Sequence, residues 1–282
     1  DMVYPVPVQD IDRVNSSEGT SVMVGPELRT IFLYFDMSRD ELLYSNVKGK
    51  NPFKDLKVRQ AIYHAIDIEA IKKKIMRGLS DPSAIMISPK LFDKSDGFTR
   101  LPFDRSKAKA LLAEAGFETR MDCPNDRYVN DEQICQAIVS MLAKVGIKST
   151  LVAQPKAKYF AAIAPKGGSD YSFGLLGWTP GSFDSWNVIW NLLSTMTPDK
   201  GRGLYNYSFY SNARVDELVE MIGVETDKTK RDALIEEAFR ISTDEIATIP
   251  LHQQALAWGK RDNIELKQRA DNQFRFYYVN VK

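Results

Sequence analysis

Apolar residues along the chain follow two periods, and the change from one to the other marks out its elements. Val22-Met23-Val24 and Ile31-Phe32-Leu33-Tyr34-Phe35 are β-rich runs, so residues 1–35 read as strand, short helix, strand. Asp36 to Lys50 is polar and reads as a loop. Val58, Ala61, Ile62, Ala65 and Ile66 then fall on one helical face behind Asp55, a suitable N-cap. Asp67 caps a second short helix that carries Ile71 and Ile75 and stops at Gly78. Residues 79–103 hold Pro82, Pro89, Gly97 and Pro102 and read as loop. Asp104 caps a helix with Ala108, Leu111, Leu112 and Ala115 as its inner stripe, ended by Gly116.

An alternation follows. A strand at 119–124 leads to a helix from Asp131 to Val145 that buries Ile134, Ala137, Ile138, Met141 and Leu142, with Gly146 as its stop. A strand at 147–153, a helix at 156–164 and a strand at 170–177 complete a β-α-β-α-β unit. Such a unit predicts parallel strands with right-handed crossovers, hence an α/β fold. Helices at 186–193, 212–224 and 228–246 come next, the first capped by Asp184 or Ser185 and the last by Asp227. Pro250 opens a strand from Leu251 to Trp258, and Phe274 to Val281 reads as a β-rich tail.

Composition adds limits. The chain has 282 residues, enough for one large α/β domain or two smaller ones. Its 38 basic and 37 acidic residues balance to +1, which argues against a general nucleic-acid surface. No apolar run approaches the roughly 20 residues of a membrane helix. Asp1-Met2-Val3-Tyr4 carries no basic or apolar leader, so an export signal would lie upstream. The two cysteines, Cys123 and Cys135, fit no common zinc spacing. They read either as buried thiols or as a disulfide closing a short loop, a bond of about 3 kcal/mol in an oxidising compartment.

Catalytic motifs are absent: there is no G-x-S-x-G, H-E-x-x-H, Walker A or G-x-G-x-x-G, and Gly167-Gly168 is only a turn signal. His64 and His252 are isolated and read as structural. The carboxylates are scattered, which leaves a hydrolase with a cleft carboxylate pair as the rival reading. The informative stretch runs from Gly177 through Trp178, Thr179, Gly181, Asp184 and Trp186 to Trp190, just after the last strand of the alternating unit. Ligands of open α/β sheets bind beyond the carboxyl ends of strands. Aromatic faces with one acid suit a concave, mostly apolar site. Trp178 and Thr179 are therefore read as facing ligand. Asp184 either pairs with a ligand cation or caps the helix, and Trp186 either faces ligand or joins Trp190 in a core stripe. The loop after the first strand of the unit borders the same crevice, which makes Asn125, Arg127 and Tyr128 candidate contacts. Tyr205, Tyr207 and Tyr210 read as surface or packing residues.

The run Asn51-Pro52 through Asp55, Val58-Arg59-Gln60-Ala61 to Ala65-Ile66-Asp67 resembles the signature of solute-binding protein family 5, with Lys57 and Ile68 as departures. Phe103-Asp104 through Lys107-Ala108-Lys109 to Gly116-Phe117, Gly177-Trp178 and Ile249-Pro250-Leu251 resemble later segments of the same family. The resemblance implies a class II periplasmic-binding-protein-like lobe, with a mixed, mostly parallel sheet flanked by helices. Residues 1–35 would cross between lobes, 36–260 would form the C-terminal ligand-binding lobe, and 261–282 would return toward an N-terminal lobe outside this chain. It further implies a monomeric, non-enzymatic receptor, periplasmic or lipid-anchored at the cell surface, without cofactor or metal. Such a receptor passes a peptide or similar small solute to the permease of an ABC importer, its only link to the membrane. Peptide-binding members carry an Asp three residues after the Trp to hold the ligand's α-amine; here Gly181 occupies that position.

Overall fold

The computed structural model describes residues 1–112, 116–164 and 169–282. In chain order its elements are β1 (Met2–Val3), α1 (Ile11–Asn15), β2 (Thr20–Phe35), α2 (Leu56–Ala65), α3 (Ile68–Ala70), β3 (Ser80–Pro82), α4 (Arg105–Leu112), β4 (Phe117–Pro124) and α5 (Asp131–Ala143). There follow β5 (Ile147–Gln154), α6 (Lys156–Ile163), β6 (Phe173–Trp178), α7 (Ser185–Val188), α8 (Ala213–Val224), α9 (Lys228–Asp244), β7 (Ile249–Arg261), β8 (Ile264–Glu265) and β9 (Asn280–Val281). The side chains of Asp55, Asp67, Asp104, Asp184 and Asp227 each accept a backbone N–H in the first turn of the helix they were expected to cap. Ala115 and Gly167-Gly168 lie outside the described residues.

β2 shows why both faces of the sheet are covered. Successive strand residues point to opposite faces, yet all of Ile31–Phe35 is buried. Ile31, Leu33 and Phe35 pack with Ile62 of α2, Ala108 of α4 and Ile134 and Ile138 of α5. Phe32 and Tyr34 pack with Tyr159 of α6, Val215 and Leu218 of α8 and Phe239 of α9. A continuous apolar strand is what a sheet with helices on both sides requires.

The sheet order is β1-β7-β2-β6-β4-β5, with β3 also pairing with β7. β4 runs parallel to both β5 and β6, as the alternating pattern predicts. The expected weighting toward parallel strands does not hold across the whole sheet. β2 pairs antiparallel with β6 and β7, and β1 and β3 add antiparallel partners to β7. β2 and β7 are long strands from opposite ends of the chain, outside the alternating β4–β6 unit whose crossovers make its strands parallel. The tail also departs from expectation: of Phe274–Val281 only Asn280–Val281 is strand, paired with β8.

Two local features prepare the site. The ladder between β2 and β7 steps from Pro26↔Ala255 to Thr30↔Gln253, so Glu27, Leu28 and Arg29 bulge out opposite Gln254 alone. Bulges re-aim side chains in this way. Cys123, near the end of β4, is disulfide-bonded to Cys135 in α5. Arg59, within the Asn51–Ala61 run, is buried and donates to the carbonyls of Phe53, Glu245 and Ile246, which ties the start of α2 to the end of α9.

Candidate functional site

β4 and β6 are adjacent parallel strands, so the loops leaving their carboxyl ends lie side by side. After β4, the buried carboxylate of Asp131 accepts the backbone N–H groups of Arg127 and Tyr128, both at 2.9 Å. Burial pushes that carboxyl up from its usual range, while these N–H bonds pull it down. The Cys123–Cys135 bond closes the base of the same loop. Tyr128 then lies against Gly177 of β6, its hydroxyl donating to the Gly177 carbonyl at 3.3 Å. A Cβ at Gly177 would stand 2.7 Å from the Tyr128 ring and 2.8 Å from Ile31, so only glycine allows this approach. Antiparallel pairing sets Thr30 against Trp178, which brings the β2 bulge to the same edge.

These elements enclose a cavity of about 290 Å³. Its walls are the rings of Phe32, Tyr128, Phe160, Trp178, Tyr205 and Tyr207, together with Leu176 and Leu192. Arg29, Arg127 and Thr179 supply its polar groups. The Trp178 ring sits 4.9 Å from that of Tyr205, and its Nε1 donates to Asn187 Oδ1 at 2.9 Å, which fixes its tilt. The guanidinium carbons of Arg29 and Arg127 lie 5.6 and 5.0 Å from the centre of the Tyr128 ring. Flat rings with a few fixed polar groups grip a small organic solute by contact area and hydrogen bonding.

Among the described residues no carboxylate lines this wall. Glu27 stands behind Arg29, accepting from Arg29 Nε at 2.9 Å and from Gln254 at 2.7 Å. Burial raises its carboxyl above the usual range, and Arg29 opposes that rise. Both histidines lie in the interior, and both ring nitrogens of His252 are buried without a hydrogen-bond partner among the described residues. His64 Nδ1 meets the Pro102 carbonyl at 2.7 Å, and burial pushes His252 down to about 3, leaving it neutral. Among the described residues no group of three or more His, Cys, Asp or Glu is placed to hold a metal.

Of the seven residues singled out from sequence, Trp178, Thr179, Arg127 and Tyr128 meet at this cavity. The other three do not. Asn125 is exposed and fixed through its backbone N–H to the Gln154 carbonyl. Asp184 caps α7 and receives two hydrogen bonds from Arg231 of α9, both at 2.9 Å, so its oxygens are already engaged. Trp186 turns inward: its Nε1 donates to the Val219 carbonyl and its ring lies 4.8 Å from Trp190. Tyr205 and Tyr207, read as surface or packing residues, stand on the cavity wall, whereas Tyr210 is buried and donates to Glu245. Arg29, Phe32, Phe160, Leu176 and Leu192 were not foreseen: Arg29, Phe32 and Phe160 reach the cavity through pairing or packing remote in sequence, and Leu176 and Leu192 are apolar residues whose pattern does not tell a cavity wall from a core. The proline at position 26, inside a strand pattern, was the available hint of a bulge at Arg29.

Residues 1–198 match the family described as bacterial extracellular solute-binding proteins, family 5 Middle. The dipeptide-binding protein of Escherichia coli is 27% identical over 251 residues, 86% of this chain and 44% of that protein. Heme-binding protein A of Haemophilus influenzae is 29% identical over 212 residues, 72% of this chain and 37% of its own length. The chain thus spans less than half the length of either relative. Among solved structures, the periplasmic binding protein DppA of Helicobacter pylori, in complex with the peptide STSA, superposes with a TM-score of 0.84 at 20% identity. That match covers 99% of this chain and 52% of the other. The likeness shows the fold.

Proposed function

We propose that this chain, which belongs to the bacterial extracellular solute-binding proteins of family 5, forms one wall of a cleft that captures a peptide or peptide-like small solute for an ABC importer. The single observation that carries the reading is the aromatic cavity beyond the ends of β4 and β6, with Trp178 and Tyr128 as its walls and Arg29 and Arg127 as its cations. On this reading residues 36–260 form the ligand-binding lobe together with β2, whose Ile31–Phe35 lie in its core and whose Arg29 and Phe32 line the cavity; the rest of 1–35 and 261–282 run toward a second lobe, and that lobe supplies the facing wall. Solute binding then shifts an open–closed equilibrium by its differential affinity for the two states, and the closed form docks on the permease. Capture needs complementarity and no reacting group, in keeping with a non-enzymatic, monomeric receptor outside the cytoplasm. No helix among the described residues is long and apolar enough to cross a membrane.

The test is native mass spectrometry of the full-length protein for a co-purifying solute, followed by calorimetry with dipeptides, oligopeptides and sugars. Trp178→Ala is expected to weaken binding of whichever solute is found by tenfold or more, since a ring and its contacts are worth on the order of 1.5–3 kcal/mol. A solute whose affinity is indifferent to Trp178 and Tyr128 would overturn the placement of the site.

A further inference from the structure

A second cavity, of about 410 Å³, adjoins the aromatic one and shares Arg29 and Thr179 with it. The turn at Pro180, Gly181 and Phe183 forms one side, and the segment carrying Arg269, Asp271 and Arg275 forms the other. The two sides are joined through the β2 bulge, where Leu28 N–H donates to the Ala270 carbonyl at 2.8 Å. The charge of this space is one-sided. Three guanidinium groups face it, and the one carboxylate, Asp271, is held by Arg269.

Much of this donor capacity is unspent. Arg29 gives Nε to Glu27, and among the described residues its other N–H groups have no hydrogen-bond partner. Arg275 side-chain N–H groups likewise meet no acceptor among the described residues. The Thr179 hydroxyl is buried without a partner, a cost that a ligand acceptor would remove. Gly181, with open space around its Cβ position, puts no acid into the turn. Asp184, three residues on, is turned away and paired with Arg231.

Resting on the solute-capture reading, we propose that this second cavity receives an anionic group of the solute, a carboxylate or a phosphate, from Arg29, Arg275 and Thr179. The solute therefore presents negative charge beyond Trp178, in a place that would repel a free ammonium. Guanidinium groups suit planar, two-pronged oxygen acceptors.

The test uses the full-length protein and three probes with one common body: dialanine, N-succinyl-dialanine and N-phosphoryl-dialanine, read by calorimetry and by tryptophan fluorescence. The acylated and phosphorylated probes are expected to bind at least tenfold more tightly than dialanine, and their order tells carboxylate from phosphate. Arg275→Gln, on an exposed side chain, is expected to bring that ratio down toward one, and Arg29→Gln to do so more completely. Equal or tighter binding of dialanine, or a ratio untouched by Arg275→Gln, overturns the anion site and leaves solute capture standing. Failure of all three probes, with no co-purifying solute, overturns both.

Discussion

Trp178 and Trp186 stand eight residues apart in one connection, yet they do opposite things. Both indole N–H groups are satisfied, by Asn187 and by the Val219 carbonyl respectively. What separates them is the rest of the ring. Trp178 keeps a side open to the cavity beside Tyr205. Trp186 has Trp190 at 4.8 Å, and its Nε1 lies 3.3 Å from where a Cβ on Gly223 would stand. Asp184 follows the inward pattern, since α7 and Arg231 use both its oxygens. A residue type that suits ligand binding is thus not enough. A side chain is available to a solute only when the fold leaves part of it unspent.

Several substitutions put this contrast to measurement. Trp186→Ala is expected to lose about 3 kcal/mol in denaturant unfolding, as a large inward ring leaves a cavity. Trp178→Ala should lose about 1 kcal/mol of stability and act mainly on solute affinity. Equal stability losses for the two would erase the distinction. Gly177→Ala is expected to cost about 1–3 kcal/mol, because the new methyl must displace Tyr128 or Ile31, and to lower affinity along with stability.

Asp122, on β4 and away from the cavity, gives a control that moves with pH. Burial pushes its carboxyl up to about 6 from 3.8, with Arg120 opposing. The folded state therefore favours the protonated acid, a contribution fully present below about pH 4 and lost as pH rises through about 6. Asp122 also accepts Arg120 Nε at 2.9 Å, so Asp122→Asn, which removes the titration and weakens that pairing, should flatten this part of the unfolding profile. A profile that Asp122→Asn leaves unchanged would place the titration elsewhere. The smallest effect is expected from Asp184→Asn, about 1 kcal/mol of stability through the weakened link to Arg231. Solute affinity should stay the same, and an affinity loss would return Asp184 to the site.

Legibility in the sequence followed the range of the interaction. Helix caps, the β4-α5-β5-α6-β6 alternation and the β-rich run Ile31–Phe35 are local patterns, and each appears in the fold as read. Trp178 and Tyr128 were legible because strand ends in a parallel unit have a fixed place. Arg29 depends on three residues of β2 facing one of β7, a register that no window of sequence contains. The aromatic tail misled for the opposite reason. Phe274 has strand-like neighbours, but its ring is taken up by Tyr4 and Trp258 from distant segments.

The bond between Cys123 and Cys135 brackets the segment that carries Arg127 and Tyr128. On the solute-capture reading, fastening these residues before any solute arrives moves an ordering cost from the moment of capture to the moment the bond forms. Reducing that fastener should show itself first as slower, looser recognition, while the distant helices α8 and α9 keep their shape.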